Sequence, residues 1–406
     1  MTLLPNFSAT AESIHELRNN ANSLIETIKS TFNTGIEREL RTFSSSEVAE
    51  FTGIPHPTIK KKSKDAATTG YPPGIVNPSN GYRQFTLDDI IQIVDIEGRL
   101  PKNGCFILAV TNFKGGSAKS TVTIHCAQRE ALKGKRVLVV DLDPQGSLTS
   151  QFGYTPDTDI ADTETARDWL SGDSDALPVK STYWPNIDLI PSNLGLYAAE
   201  FALSNRLDDD EEYEFFEILE IGLSELKDQY DIIILDTPPA LSYLTTNALF
   251  AADGVLVPLQ AGMLDFSSVA QFLSLLGSTA ETFGEDQSWA MFRFVITRFS
   301  GTDNEVVAGE WIHRMFGNRV LTNPFPETTA IRGASTELAT LYEVDQRNPD
   351  KSRRLDPRTY KRARKGVDAV MAEISDSIEA AQAKRAKDLE ANKAKLAKDL
   401  GVSADV

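Results

Sequence analysis

An α/β fold built on a mainly parallel, doubly wound sheet is predicted by three observations in this 406-residue chain. Continuous apolar runs at 106–110, 136–140, 187–190, 231–235, 254–258 and 292–296 are separated by helix-length segments. Strands read this way when helices bury both faces of a parallel sheet. The first run passes directly into a turn rich in glycine and lysine, and two later runs are followed by Asp141 and Asp236. Open parallel sheets bind ligands at those carboxyl ends. At ~100–200 residues per domain, the length allows two or three folding units.

Ahead of the sheet, Ile14, Leu17, Ala21, Leu24, Ile25 and Ile28 recur at helical spacing within 8–30 and leave one apolar stripe in need of a partner. Ser44 and Glu47 have capping-box spacing at the start of a helix that Gly53 ends. Ile54-Pro-His-Pro makes a turn, and Pro57 suits the opening of a second helix, Thr58–Lys64. After a loop from Gly70 to Gly81, Tyr82–Phe85 reads as a short strand and Thr86 caps a further helix from Leu87 through Ile93. Helix, turn and helix in this order give 44–65 the architecture of a helix-turn-helix, and Gly81-Tyr-Arg-Gln-Phe-Thr-Leu resembles the wing of a winged helix. Beyond the sheet, eight basic residues between Lys351 and Lys365 stand against one acid, Asp356, and an Ala- and Lys-rich helix follows from about Gly366. Eight acids and no base occupy 208–220, which reads as a solvated face.

Composition narrows the partners. With 58 acidic and 41 basic side chains the net charge is −17, so the surface as a whole does not suit nucleic acid and any contact with it must be local. No apolar run approaches the ~18–20 residues that span a bilayer, and a cytoplasmic location is expected. Cys105 and Cys126 show neither zinc-ligand nor disulfide-framework spacing.

The chemistry concentrates in Val110-Thr-Asn-Phe-Lys-Gly-Gly-Ser-Ala-Lys-Ser-Thr, between a strand and a helix. Backbone amides of such a turn, with the helix N-terminus behind them, favour a polyphosphate; Lys119 adds charge and Ser120 a hydroxyl for Mg²⁺. The simple G-x-x-x-x-G-K-[ST] pattern is not met, because Phe113 and Ala118 stand where its glycines would be; K-G-G-x-x-K-[ST], with Lys114 in front, is met. Asp141 and Asp143 alternate beside this loop, and Asp236 ends its run as a magnesium-holding aspartate does.

These motifs resemble the ParA-type partition ATPases of the deviant Walker A class. Lys114-Gly-Gly-Ser-Ala-Lys-Ser-Thr, Asp141-Leu-Asp-Pro-Gln-Gly-Ser, Asp236-Thr-Pro-Pro and Pro258 follow the family's order, and the N-terminal part resembles its large plasmid subgroup, including RepA proteins. The resemblance implies ATP/ADP and Mg²⁺ as cofactors and a homodimer that sandwiches ATP. Lys114 would reach the other subunit's phosphates, and Asp143 would act on the hydrolytic water. Gly115, Gly116, Ser117, Ala118, Lys119, Ser120 and Thr121 would bind nucleotide, with Thr297 and Pro326 near the adenine and Ser120 and Asp236 on the metal. It further implies weak ATP hydrolysis stimulated by DNA and a ParB-type partner, nucleoid association, and repression of its own operon. Alanine at 118, where many members have glycine, restricts the loop's dihedrals.

The expected parts are a dimerisation helix (1–40), the winged helix-turn-helix (41–103), the ATPase (104–350) and the basic stretch with C-terminal helices (351–406). Expected operator contacts are Thr58, Lys60, Lys61, Lys62, Lys64 and Arg83, with Ser63 available beside them. Lys351, Arg353, Arg354, Arg358, Lys361, Arg362, Arg364 and Lys365 suit nonspecific DNA. The alternative reading is a nucleotide-responsive repressor with little ATPase activity, which Ala118 favours. A membrane-cycling ATPase would need bulky apolar residues where Glu379–Leu400 offers mainly alanine, and a cluster-bearing reductase would need cysteines after the nucleotide motifs.

Overall fold

Capping chemistry shapes the N-terminal part of the chain, whose structure is a computed structural model describing residues 10–32, 38–78, 81–100, 103–209, 214–262, 265–284, 288–346 and 354–400. Helix α1 (Ala11–Phe32) carries the expected stripe, with Leu17 and Leu24 exposed. Strand β1 (Phe43–Ser44) leads into α2 (Ser45–Thr52), where Ser44 Oγ accepts from the Glu47 amide and Glu47 accepts from the Ser44 amide, closing the capping box. Gly53 ends α2 in the left-handed conformation at φ 67°, and α3 (His56–Lys64) follows. It begins two residues earlier than Thr58, with Pro57 still inside its first turn, where a missing N–H costs nothing.

The loop at 70–81 contains an element the sequence reading missed. Strand β2 (Ile75–Val76) pairs antiparallel with β3 (Arg83–Phe85), which also pairs with β1, giving the order β1-β3-β2. Two residues are too short to show alternation. Helix α4 (Leu87–Ile96) starts from a second capping box, Thr86 with Asp89.

The main sheet contains β4 (Phe106–Val110), β5 (Val137–Asp141), β6 (Lys180–Ser181), β7 (Ile187–Ile190), β8 (Ile232–Asp236), β9 (Gly254–Gln260) and β10 (Met291–Thr297). Their order is β10-β9-β4-β8-β5-β7-β6, and all pairs are parallel except β6 with β7. The α/β fold and its mainly parallel sheet are as the sequence predicts. Along β4 and β8 alternate residues enter opposite apolar clusters: Leu108 and Ile234 on one side, Ile107 and Ile233 on the other. That is the doubly wound arrangement.

Helix α5 (Lys119–Leu132) and the long α6 (Pro357–Leu400) cover the first face. The same cluster continues into Phe43, Val48, Phe51 and Ile90, so the N-terminal elements share their core with the sheet. Close approach is enforced at Gly134, where an added Cβ would meet Val94 of α4 at 3.1 Å. Arg41 adds a polar tie, donating to the Tyr342 carbonyl at 2.7 Å.

Candidate nucleotide site

Three strand ends form one row: Val110 is opposite Asp236 in the β4–β8 register, and Asp236 is opposite Asp141 in the β8–β5 register. The glycine-rich turn leaves the first of these, so the chain brings the loop and both carboxylates together at the carboxyl edge of the sheet. Lys119 opens α5 and is buried. Burial lowers its pKa, and the nearby charges of Asp236 and Asp143 oppose that shift.

Asp236 is fully buried and accepts from Thr123 Oγ1 at 3.0 Å through Oδ1. Its Oδ2 is buried with no hydrogen-bond partner. Burial pushes this carboxyl up to about 6, with Ser120 and Lys119 pulling the other way. Asp141 accepts from the Thr149 amide at 2.8 Å and the Thr149 hydroxyl at 2.7 Å. Burial and the facing Asp236 raise its pKa, against those two bonds. Strand β5 ends at Asp141, so Asp143 lies beyond the pleat, half-buried, and accepts from the Gln145 amide at 3.0 Å. Burial raises its pKa while that bond and Lys119 lower it.

Side chains that sequence reading did not single out shape the loop. Asn112 donates to the Pro258 carbonyl at 2.6 Å and accepts from the Lys114 amide at 3.0 Å. The second bond is an Asx turn, a signal present in the sequence as Asn two residues before a turn amide. Gln260 donates to the Gly116 carbonyl at 2.7 Å. Gly115 and Gly116 are exposed, Ser117 is buried, and Ser120 and Thr121 are half-buried; the Thr121 carbonyl is bonded to His125 Nδ1 at 2.8 Å. Ala118 adopts φ 67° at the N-cap of α5.

The two residues expected near the adenine are placed as follows. Thr297 is buried and its hydroxyl donates to the Ser117 carbonyl at 2.9 Å, so it touches the phosphate loop itself. Pro326 bridges to Phe299 and lies beside Gly366 of α6, where an added Cβ would meet its ring at 3.1 Å.

The predicted DNA contacts divide more sharply. Lys60, Lys61 and Lys64 are exposed on α3, and Thr58 is half-buried. Lys62 turns back to Glu97 at 2.6 Å, and Ser63 is buried, which corrects its expected availability. Ser45, Lys60, Lys64, Gly81, Tyr82, Arg83 and Phe85 line one groove of about 350 Å³. Arg83 donates to the Pro73 carbonyl, bracing the turn. Arg358, Lys361, Arg362 and Lys365 are exposed on the first turns of α6, which starts earlier than Gly366.

Arg364 is the clear correction. It is buried, ion-paired with Asp368 at 2.9 Å, and its guanidinium lies 4.3 Å from the Tyr342 ring centre and 5.3 Å from that of Phe51. A planar cation stacked between rings belongs to the joint between α2 and α6, out of reach of a duplex. Lys351 and Arg353 lie outside the described residues.

Comparison with known proteins agrees with this geometry. Residues 105–287 match a family described as an AAA domain. A putative replication protein A from Sinorhizobium fredii is 35% identical over 370 residues, covering 86% of this chain and 88% of that protein. Protein SopA from Escherichia coli (strain K12) is 30% identical, covering 73% and 76%. Among solved structures, a partition protein aligns over 91% of this chain and 98% of its own with TM-score 0.62 at 18% identity, a likeness of fold. A cobyrinic acid a,c-diamide synthase from Mycobacterium smegmatis, with bound ADP and magnesium, aligns over 58% and 91% with TM-score 0.50 at 30% identity. Among the described residues no helix is long and apolar enough to cross a membrane. With a strand-to-helix phosphate loop, a row of aspartates behind it and relatives matched along most of its length, the chain belongs to the ParA-type partition ATPases, near the replication protein A group.

Proposed function

We propose that this partition ATPase binds DNA nonspecifically as an ATP-bound homodimer, is released when a ParB-type centromere-binding partner stimulates its weak hydrolysis, and represses its own operon through an N-terminal winged helix-turn-helix. The observation that carries the DNA part is the groove lined in common by Lys60 and Lys64 of α3 and by Tyr82 and Arg83 at β3. A recognition helix and a wing that flank one groove suit a major-groove reader with a backbone contact beside it.

In the nucleotide site, Lys119 and the loop amides neutralise phosphate, Ser120 and Asp236 hold Mg²⁺, and Asp143 positions the attacking water. Lys114 completes the partner subunit's site. The unpartnered Oδ2 of Asp236 fits a hard cation that takes oxygen ligands. The metal, when bound, neutralises charge that builds on the phosphates. Arg354, Arg358, Lys361, Arg362 and Lys365 supply the nonspecific grip, and the exposed stripe of α1 pairs two chains. The segments divide labour while one apolar core runs through the last three of them.

The test is ATP turnover by the full chain alone, with random duplex, and with duplex plus the partner. Stepwise stimulation is expected. Operator binding without measurable turnover would instead favour the nucleotide-responsive repressor, a reading that the left-handed Ala118 supports.

A further inference from the structure

Among the described residues, the non-glycine positions with positive φ are Ala118 at 67°, Arg298 at 52° and Leu338 at 50°. The first two flank the ends of a single hydrogen bond. Ala118 follows Ser117, whose carbonyl accepts, and Arg298 follows Thr297, whose hydroxyl donates at 2.9 Å. Left-handed conformations of residues bearing a Cβ persist where surrounding contacts over-determine them, and such strain gathers at ligand clamps.

The bond acts on one peptide group. A hydroxyl has one proton, and the Ser117 carbonyl at 2.9 Å is a shorter acceptor than the Leu259 carbonyl at 3.2 Å. Holding the Ser117 oxygen fixes the plane of the 117–118 peptide. No peptide in the described chain is cis, so the Ala118 N–H points away from Thr297. Relaxing Ala118 to negative φ would rotate that plane, turning a carbonyl oxygen toward the side from which phosphate is bound and taking an amide away from it.

We infer that Thr297 is a positioning residue: its hydroxyl latches the Ser117–Ala118 peptide, offsetting the strain of an alanine where the phosphate loop needs a left-handed residue. Gln260 makes a comparable bond to the Gly116 carbonyl, but the residue that follows it, Ser117, is not among those with positive φ, so the latch is specific to the Ala118 peptide.

The experiment titrates the full chain with a fluorescent ATP analogue and Mg²⁺ in four forms: wild type, Thr297→Val, Ala118→Gly and both together. Loss of one buried hydrogen bond that opposes strain should weaken binding about tenfold in Thr297→Val. In the Ala118→Gly background the same change should cost less than about twofold, since glycine takes positive φ freely. Thr297→Ser should restore affinity, and the tenfold shift should fall on KM with kcat at saturation unchanged. Equal losses in both backgrounds would overturn the latch, as would a Thr297→Val protein that binds like wild type. Ala118→Gly by itself must tighten nucleotide binding and raise the melting temperature of the ligand-free protein; failure of both sinks the inference even if Thr297→Val does not fold. Binding by the wild type separates failure of the latch from failure of the site.

Discussion

Asp141 and Asp236 face each other in register at the ends of β5 and β8, both fully buried, one satisfied by Thr149 and the other with Oδ2 unpartnered. Two carboxylates on neighbouring buried strands repel each other and resist ionisation. Burial of this pair therefore costs stability in the ligand-free protein, and a cation held there, as proposed above, would offset that cost.

The first prediction follows from that cost. Asp236→Asn should stabilise the ligand-free protein by on the order of 2 kcal/mol at pH 7, because a group raised to about 6 by burial is bound in its disfavoured ionised form there. The folded state holds this proton more tightly than the unfolded state, so the wild type loses stability as pH rises from its ordinary carboxylate range to about 6. The Asn variant should lack that part of the slope. Thermal unfolding across pH checks this, and Mg²⁺-dependent nucleotide binding should be lost in the same variant.

Lys119→Ala should lose Mg-ATP binding, while Asp143→Ala should bind and scarcely turn over. One removes phosphate charge at the start of α5, the other removes only water positioning. Equilibrium binding and turnover measured side by side distinguish them, and equal ATP affinity in wild type and Lys119→Ala would contradict the assignment.

Arg364 and its exposed neighbours should separate cleanly. Arg364→Ala leaves the half-buried Asp368 without its partner and removes the stack on Tyr342 and Phe51, so a loss of about 3 kcal/mol is expected. Replacing Arg358, Lys361, Arg362 and Lys365 with Ala should leave stability within about 1 kcal/mol. Binding of that variant to random duplex should show a salt slope flatter by about 0.9 for each phosphate that is no longer neutralised. Melting curves and salt titrations are the two readouts.

Operator recognition should depend on Lys60 and Lys64 and be nearly indifferent to Lys62, whose amine is engaged by Glu97. Footprinting of Lys60→Ala/Lys64→Ala against Lys62→Ala tests this. A footprint abolished only in the Lys62 variant would place the interface on a different face of α3.

Sequence by itself determined six of the seven strands of the main sheet and the phosphate loop, because these are local patterns: apolar runs for buried strands, and Lys114-Gly-Gly-Ser-Ala-Lys-Ser between a strand and a helix; the two-residue polar edge strand β6 carries no such pattern. It likewise determined the caps at Ser44 and Thr86, where donor and acceptor sit three residues apart. Tertiary structure alone decided that Asp141 and Asp236 are neighbours, since strand order places β8 between β4 and β5. It also decided what each cation in a basic run does. Lys60 and Lys62, like Lys365 and Arg364, are near-neighbours of similar charge in the sequence, yet helical phase sends Lys60 and Lys365 to solvent, Lys62 to Glu97 and Arg364 into an aromatic joint. The hydroxyl of Thr297, 180 residues from Ser117, meets that carbonyl only because β10 and the phosphate loop end at the same edge of the sheet.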